Sequence, residues 1–360
     1  MKRILMVCEC LSGGVFAYLS QLCNDMCDYF DVYLAYSVRL ETPKNYEEFL
    51  DKRVHLIKIE GFGKSLTNIF NDIRIISRLR KIEQEIKPDI IHLHSSIAGG
   101  IGRLAYNGRS NVIVYTPHGY AHILMGPGMK SRLYKTIERI LGRKNSVTLT
   151  CCESEDEVAK EFCKETAYIE TGVNLMDLSA SLDRIEPIKS DKFTVFSLGR
   201  ACVQKQPQLF NRIAMLVPEA KFLWIGGGEL ESLLTAPNVE VTGWKPRKEA
   251  LAIAKGADAF ILCSLGEAIS MSLIENMFIK KLCLVSNVMG NQSVIQDSIN
   301  GYVCDTAEEY ADRIRAAMKE FPSKLTEKAY EDVLTIYNTE IMKKKYISFY
   351  EKVSIGGRKH

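Results

Sequence analysis

Two glutamates, Glu267 and Glu275, flank a predicted helix start with seven residues between them. The apolar run 259–263 predicts a buried strand, and apolar positions beyond it follow a helical stripe for which Ser270 or Ser272 is the expected cap. A helix N-terminus offers free amides and a positive dipole end, which suit a phosphate. We expect the two acids to accept hydrogen bonds from sugar hydroxyls at the two ends of a nucleotide sugar. The alternative is a pair of surface glutamates beside a helix.

Two cations, Arg200 and Lys205, lie in one predicted loop after the strand-like run 193–198. The planar fork of an arginine and the point charge of a lysine at a strand end suit a diphosphate. This assignment of positive charge leaves the two glutamates to accept from hydroxyls. The alternative is a pair of ordinary loop cations, because arginine and lysine are common in exposed loops.

His118 stands between a proline and a glycine, directly after the predicted strand 111–116. A histidine titrates near neutrality and offers both a donor and an acceptor, which suits a sugar hydroxyl. The alternative is a structural histidine that closes the strand. His92 and His94 alternate along one strand and share a face, but no third ligand accompanies them. The chain also contains no D-x-D pair for a divalent cation, so we expect no metal site and no other cofactor.

Glycines follow two of the predicted strands. Gly13-Gly14 comes after the run 3–8, where backbone is able to approach a ligand closely. Gly226-Gly227-Gly228 is more typical of a tight turn. Neither forms the full G-x-G-x-x-G pattern, and the phosphate-binding P-loop signature is absent.

The elements that must position these residues alternate between strand and helix. This alternation predicts an α/β protein with two doubly wound, Rossmann-like domains that face each other across a cleft and bind ligands at the carboxyl ends of their strands. The stretch 178–192 has no strong period, so we predict domains at 1–177 and 193–339 with 178–192 as the linker. A final helix at about 340–360 is expected to pack back on the first domain.

The composition limits the classes of function that the chain could have. A chain of 360 residues with 46% hydrophobic residues is long enough for two domains. Its net charge of +3 argues against a dedicated nucleic-acid binder. The stretch 61–147 nevertheless holds 14 Lys and Arg against five Asp and Glu, which favours an anionic membrane surface or a phosphorylated substrate as partner; solvated helix faces are the alternative.

No signal peptide and no run of about 20 apolar residues is found in the sequence. Eleven cysteines, several of them in apolar runs, fit reduced thiols. We therefore expect a cytoplasmic protein, either free or peripheral on the inner face of the cytoplasmic membrane.

Together these motifs resemble the retaining glycosyltransferases of the two-domain GT-B fold, family 4, over nearly the whole chain. The resemblance rests on the order and spacing of eight segments: Gly13-Gly14, TPHGY at 116–120, IETGVN at 169–174, LGRACVQKQPQLF at 198–210, LWIGGGEL at 223–230, VTGW at 241–244, the Glu267-x7-Glu275 pair and SVIQDSINGYVC at 293–304.

The resemblance implies a role for each matching residue. Arg200, Lys205 and the amides near Met271 and Ser272 would hold the donor diphosphate. Glu275 would accept from the ribose, while Glu267 and His118 would contact the transferred sugar at the reacting centre. Trp244 and Lys245 would lie near the nucleobase, and Gly13 and Gly14 would admit the acceptor or phosphate. Members of the family retain the anomeric configuration and generally need no metal.

This chain departs from the family pattern where the donor sugar is expected. Ala268 and Ser270 replace a usual glycine and proline, Gly266 precedes the first glutamate, and Gln206 replaces a glycine after the lysine. The expected function is transfer of a sugar from a nucleotide diphosphate sugar, a UDP-sugar above all, to a lipid-linked or surface-polysaccharide acceptor. The alternatives are a UDP-sugar epimerase of the same fold and a nucleotide-sugar-binding protein with weak catalysis.

Overall fold

The computed structural model describes residues 1–63, 69–108, 110–124 and 128–356. The chain forms two compact units, one of Met1–Thr171 with Glu340–His360 and one of Gly172–Thr339. Both are built from a fully parallel sheet with helices, as the alternating sequence predicts.

The sheet of the first unit has seven strands in the order β3-β2-β1-β4-β5-β6-β7. Its elements are β1 Arg3–Cys8, α1 Gly13–Met26, β2 Asp31–Tyr36, β3 His55–Lys58, α2 Ile69–Ile86, β4 Ile90–His94, α3 Ser96–Ala105, β5 Val112–Thr116, α4 Ala121–Leu124, α5 Met129–Leu141, β6 Val147–Thr150, α6 Glu153–Lys160, β7 Glu165–Tyr168 and, from the chain's end, α14 Thr339–Gly356.

Alternate side chains of the central strands in this sheet pack into two different layers. Leu5 and Val7 of β1 pack with Ile75 and Leu79 of α2. On the other face, His92 of β4 lies against α14, where its Nδ1 is 2.6 Å from the Tyr350 hydroxyl. The period of two along a strand therefore explains why residues on both faces of the central strands β1 and β4 are buried: both faces are covered.

The sheet of the second unit has six strands in the order β10-β9-β8-β11-β12-β13. Its elements are α7 Leu175–Leu182, β8 Thr194–Leu198, α8 Pro207–Leu216, β9 Lys221–Ile225, β10 Val239–Gly243, α9 Arg247–Gly256, β11 Ala259–Leu262, α10 Met271–Phe278, β12 Leu282–Ser286, α11 Met289–Gln292, β13 Tyr302–Cys304, α12 Ala307–Lys319 and α13 Ser323–Thr335. Phe196 of β8 packs toward α10, and its neighbour Val195 packs toward α8 and α12.

Each sheet reverses its strand order once, between β1 and β4 in the first unit and between β8 and β11 in the second. At such a switch point the loops after the two central strands diverge and leave room for a ligand. The loops after β8 and β11 carry Arg200, Lys205 and Glu267, so the sequence motifs lie where this topology favours binding.

The predicted linker and domain boundary differ from the structure. The first unit ends at Thr171, and the stretch 178–192 lies inside the second unit, where it begins in α7. The side chain of Asn174 caps α7 by accepting from the amide of Asp177 at 3.1 Å. Helix α14 continues the chain back into the first unit; the last predicted helical residues, 357–360, lie outside the described residues. The sequence also predicts a long basic helix at 66–86 that ends before Lys87-Pro88; its first residues, 66–68, lie outside the described residues, and the remainder is α2.

Several elements were absent from the sequence prediction. Helix α3 was missed because its sequence, SIAGGIGRLA, holds three glycines, which lower helix propensity. Two of them are needed for close packing, because a Cβ on Gly99 would lie 2.1 Å from the Tyr115 ring and one on Gly102 would lie 2.5 Å from Leu93. The short strands β7 and β13 were also missed.

Within the described residues, no helix is long and apolar enough to cross a membrane. All eleven cysteines are free thiols.

Candidate functional site

The loops after β8 and β11 are joined by hydrogen bonds that hold the candidate site together. The amide of Leu265 donates to the carbonyl of Gln204 at 2.8 Å, and the Gln204 side chain donates to the carbonyl of Gly266 at 2.9 Å. Gln206 has a left-handed φ of 48°, and its side-chain amide donates to the carbonyl of Cys263 at 2.8 Å. Although a left-handed φ favours glycine, the glutamine here gains a contact that a glycine has no side chain to make.

Lys205 and Glu267 meet between these two loops. The ammonium Nζ of Lys205 is 2.6 Å from Oε1 of Glu267, and the side chains are only 18% and 10% exposed. The hydroxyl of Ser264, fully buried, donates to the same carboxylate oxygen at 2.5 Å. The cation expected to bind phosphate and the acid expected to bind sugar are therefore adjacent and form an ion pair with each other.

The second glutamate of the pair, Glu275, is also matched with a cation. Its Oε1 accepts from the guanidinium of Arg247 at 2.7 Å, and its side chain is largely buried. Arg200 lies on the exposed side of its loop, with Nε 3.2 Å from a carboxylate oxygen of Glu229. Each glutamate thus accepts from a basic side chain in this structure, and the expectation that the two accept from sugar hydroxyls stays a prediction.

Helix α10 begins between the two glutamates, as the sequence predicts. Ser270 occupies the N-cap position but makes no side-chain cap, since its hydroxyl lies 2.8 Å from that of Ser272. In the described part of the chain no side chain therefore caps the amides of Met271 and Ser272. An uncapped helix start of this kind has the polarity that an anion requires.

Ala268, one of the residues that depart from the family pattern, is held by backbone on its far side. A Cβ added to Gly290 of α11 would lie 1.7 Å from the carbonyl oxygen of Ala268 and 2.4 Å from that of Glu267. The backbone between the two glutamates therefore packs directly against Gly290. No pattern in the sequence indicated this contact, because the two segments meet only in the folded unit.

The glycine turn 226–228 is packed against the loop after β8. A Cβ on Gly226 would lie 2.1 Å from the Gly199 carbonyl, and one on Gly228 would lie 2.6 Å from the Ala201 carbonyl. These glycines thus permit close approach of two loops, which agrees with a tight turn. Trp244, 70% exposed, stands beside Gly227, and Lys245 pairs with Glu249 at 3.2 Å.

In the first unit, Gly13 and Gly14 form the start of α1 at the carboxyl end of β1. Gly13 has a left-handed φ of 55°, so a side chain there would strain the backbone. A Cβ at either position would meet no atom within 4 Å. The space in front of this helix start is open, which is consistent with the predicted approach of a ligand.

His118 is half-buried and belongs to a cluster with the buried His92 and His94. Its Nε2 is 3.0 Å from Nδ1 of His94, and its Nδ1 is 3.5 Å from the Cys151 thiol. Its ring stacks on that of His94 and meets the Tyr18 ring edge-on, with centroids 4.7 Å apart. Both ring nitrogens are therefore engaged within the protein, and burial lowers the pKa of His118 to about 3. The prediction of a near-neutral imidazole is wrong for this structure, because desolvation keeps the ring uncharged.

Two buried residues fix the His118 loop, and one of them, Glu155, has no place in the sequence analysis. Glu155 accepts from the amide of Gly119 at 2.8 Å and from the amide of Cys151 at 3.0 Å. It is fully buried, and burial raises its pKa to about 7. His92 contacts both Tyr350 and Thr116, and burial lowers the pKa of His92 and His94 well below the ordinary value.

Among the described residues, no three His, Cys, Asp or Glu side chains form a group suited to a metal ion. Instead, His94 and His118 hydrogen-bond to each other, and His92 bonds to the hydroxyls of Tyr350 and Thr116. The Nε2 atom of His94 is buried and has no hydrogen-bond partner within the described ranges.

Comparison with known proteins assigns a family to both halves of the chain. Residues 12–176 match the model of glycosyltransferase family 4, and residues 180–332 match that of glycosyl transferases group 1. The chain is similar to the UDP-Gal:alpha-D-GlcNAc-diphosphoundecaprenol alpha-1,3-galactosyltransferase of Escherichia coli, with 27% identity over 288 residues that span 72% of this chain and 73% of that protein.

Solved structures support the same fold. Sucrose-phosphate synthase from Thermosynechococcus elongatus superimposes with a TM-score of 0.81 at 15% identity, over 99% of this chain and 100% of that chain. HepE from Anabaena, solved in complex with UDP and glucose, gives 0.74 at 14% identity over 98% of this chain and 100% of its own. The fold is therefore GT-B, with two Rossmann-like domains. The chain belongs to the group 1, family 4 glycosyltransferases and is an enzyme of the hexosyl-transferring class.

Proposed function

We propose that this glycosyltransferase moves a hexosyl group from a UDP-sugar to a lipid-linked or surface-polysaccharide acceptor. The observation that carries the proposal is the Lys205–Glu267 contact of 2.6 Å beside the uncapped start of α10. It places a cation, a carboxylate and free amides together at the switch point of the second sheet. The Escherichia coli relative is named for a UDP-galactose donor and a diphosphoundecaprenol-linked acceptor, and HepE was solved with UDP.

The donor diphosphate fits the positive groups of this site. We assign Lys205, Arg200 and the amides of Met271 and Ser272 to its phosphate oxygens. When the sugar leaves, negative charge accumulates on these oxygens, and fixed cations and dipoles stabilise it without reorganisation. Binding of the diphosphate draws Lys205 away from Glu267, which frees that carboxylate to accept from hydroxyls of the transferred sugar.

Glu275 and Trp244 extend the donor site toward the nucleoside. We assign Glu275 to the ribose hydroxyls, with Arg247 holding the carboxylate in place until the ribose arrives. The exposed face of Trp244 is available for the base to stack on, and Lys245 stands beside it. Stacking of a base on this ring removes apolar surface of both from water, so it is favourable.

Transfer with retention breaks the bond between the anomeric carbon and the diphosphate oxygen, and the electron pair stays on the departing diphosphate. The acceptor hydroxyl forms its bond to the same face of that carbon and gives its proton to the departing phosphate. No metal is needed, since Lys205, Arg200 and the helix dipole supply the positive charge. Proton NMR of the product measures the anomeric configuration, and inversion would contradict this scheme.

The acceptor side is assigned to the first unit, where Gly13 and Gly14 leave open space. His118 lies at the same edge of that sheet, where its ring contacts His94 and Cys151 and burial keeps it neutral. A lipid-linked acceptor also implies work at an anionic membrane surface, which the cationic stretch 61–147 favours.

Incubation with a panel of nucleotide sugars, analysed by mass spectrometry, tests the function. We expect transfer to a lipid-linked acceptor, or slow hydrolysis without one, for a UDP-sugar. An isomerised donor would instead identify an epimerase, and binding without turnover would identify a binding protein. Glu275→Ala is expected to weaken donor binding; unchanged binding would contradict the ribose assignment.

A further inference from the structure

Helix α5 carries a row of exposed apolar side chains on its outward face. Met129, Leu133 and Ile140 are 87%, 59% and 64% exposed. At 3.6 residues per turn these three positions fall within an arc of about 40° around the helix axis. Large apolar side chains aligned along one face of a helix indicate a surface that is covered in use.

Cations accompany this apolar row. Arg132 and Arg139 are exposed and flank it on one side, and Lys130 is exposed in the first turn. The one acid of the helix, Glu138, points the other way: it is buried and accepts from the guanidinium of Arg103 at 2.7 Å. The outward face of α5 therefore combines apolar and positively charged groups without a negative one.

The inward face fixes this helix to the first unit. The carboxylate of Glu138 also accepts from the Tyr115 hydroxyl at 2.9 Å, and Lys135 pairs with Glu161 at 3.1 Å. In the first turn, the Ser131 hydroxyl donates to the carbonyl of His122 at 2.6 Å, so α5 is attached to the segment that follows His118. The exposed face thus has a defined orientation and begins beside the carboxyl edge of the first sheet.

We propose that the outward face of α5 docks on an anionic lipid bilayer, with Met129, Leu133 and Ile140 at the boundary of headgroups and acyl chains. Interfacial helices have this combination of an apolar row and flanking basic residues. Arginine binds lipid phosphates through paired hydrogen bonds, and anionic lipid attracts the accompanying charge. The inference deepens the proposed function, on which it rests, by naming the surface that would bring the enzyme to a lipid-linked acceptor.

Sedimentation with vesicles of phosphatidylcholine, with and without phosphatidylglycerol, tests this surface in the full chain without donor or acceptor. We expect the native protein to bind only the anionic vesicles. Arg132→Glu/Arg139→Glu is expected to reduce binding roughly tenfold or more. Leu133→Ser/Ile140→Ser should abolish the fraction that resists high salt. The matched control, Lys319→Glu/Lys324→Glu on exposed positions of the second unit, is expected to bind like the native chain.

Three results would overturn the proposal: no binding to anionic vesicles at low salt, equal binding by the α5 variants, or equal binding to neutral vesicles. Size-exclusion chromatography with light scattering gives a fourth result that would overturn it: a native dimer that Leu133→Ser/Ile140→Ser converts to a monomer. That result would show that a second copy of the chain, and not a bilayer, covers this face of α5. UDP titration of the same variants separates the two proposals, because α5 variants are expected to keep native UDP affinity. If the native chain did not bind UDP, the proposed function would be contradicted, whereas the vesicle result would still support the membrane surface.

Discussion

At the scale of single residues, the Lys205–Glu267 pair shows how the proposed donor site would hold an acid beside an anionic ligand. The pair is mostly buried, and Ser264 donates to the carboxylate at the same time. Burial of a carboxylate without such partners would cost a large amount of folding free energy. Lys205 and Ser264 therefore hold Glu267 in place, and in the proposed function the diphosphate competes with Glu267 for Lys205. Because the two residues would exchange partners in this way, mutations of Lys205 and of Glu267 are expected to have different effects.

Glu267→Gln is expected to leave UDP affinity unchanged or slightly higher while transfer becomes roughly 10- to 100-fold slower. The amide removes the carboxylate that competes with phosphate for Lys205, but it also removes the charged acceptor for the sugar. Calorimetric titration with UDP and a turnover assay on the same preparation measure both effects. A parallel loss of UDP binding would show that Glu267 acts on the diphosphate side instead.

His92→Gln is expected to make the protein less sensitive to acid. Burial holds the pKa of His92 far below its ordinary value, so below about pH 6.5 only the unfolded chain binds this proton, and the native chain loses about 1.4 kcal/mol of stability per pH unit from this residue. A glutamine keeps hydrogen-bonding groups for Tyr350 and Thr116 without the titration. Urea unfolding of both proteins between pH 7 and pH 5 tests this; a constant difference across that range would refute it.

At the scale of elements, the candidate site is a set of loops whose positions depend on glycine contacts. The stretch between Glu267 and Glu275 rests on Gly290 at the start of α11, and the loop of Arg200 rests on the turn 226–228. Small side chains are required at these contacts because backbone atoms occupy the space. The site geometry thus depends on helices and turns that contribute no functional side chain.

Gly290→Ala is expected to destabilise the second unit by about 1–3 kcal/mol and to weaken donor binding, since the new Cβ must displace the Ala268 carbonyl. Thermal melting and UDP titration measure the two effects. Gly14→Ala is the matched comparison: its Cβ meets no atom within 4 Å, so the melting temperature should stay unchanged. Equal melting temperatures for native protein and Gly290→Ala would contradict the contact.

Much of the fold follows from local sequence, and much of the site does not. Buried parallel strands such as Lys221–Ile225 are apolar runs bounded by turn residues, so their positions are readable. Helix α3 is not, because its glycines serve packing and suppress the helical signal. The pairing of Glu275 with Arg247, 28 positions apart, depends on where α9 and α10 come to lie. Several of the sequence motifs lie in the loops after β8 and β11. The ion pairs and the contacts of the buried histidines, however, form only in the folded units and are not predictable from the motifs.

At the scale of the whole molecule, each unit has its own sheet, its own switch point and its own group of candidate residues. The cations and acids proposed for the donor lie in Gly172–Thr339, and the open glycines and the face of α5 lie in the first unit. Donor and membrane functions are therefore expected to respond to separate sets of mutations. This division lets the donor assignment be tested without any knowledge of the acceptor.

The measurement that tests the central claim most directly is calorimetric titration of the full chain with UDP, for native protein, Lys205→Ala and the control Lys319→Ala. Loss of one charge-assisted contact is expected to weaken UDP binding roughly 10- to 100-fold in Lys205→Ala. Lys319→Ala should bind like the native chain, because its side chain is exposed at the end of α12. Equal UDP affinity for all three proteins would contradict the assignment of the nucleotide diphosphate to the loops after β8 and β11.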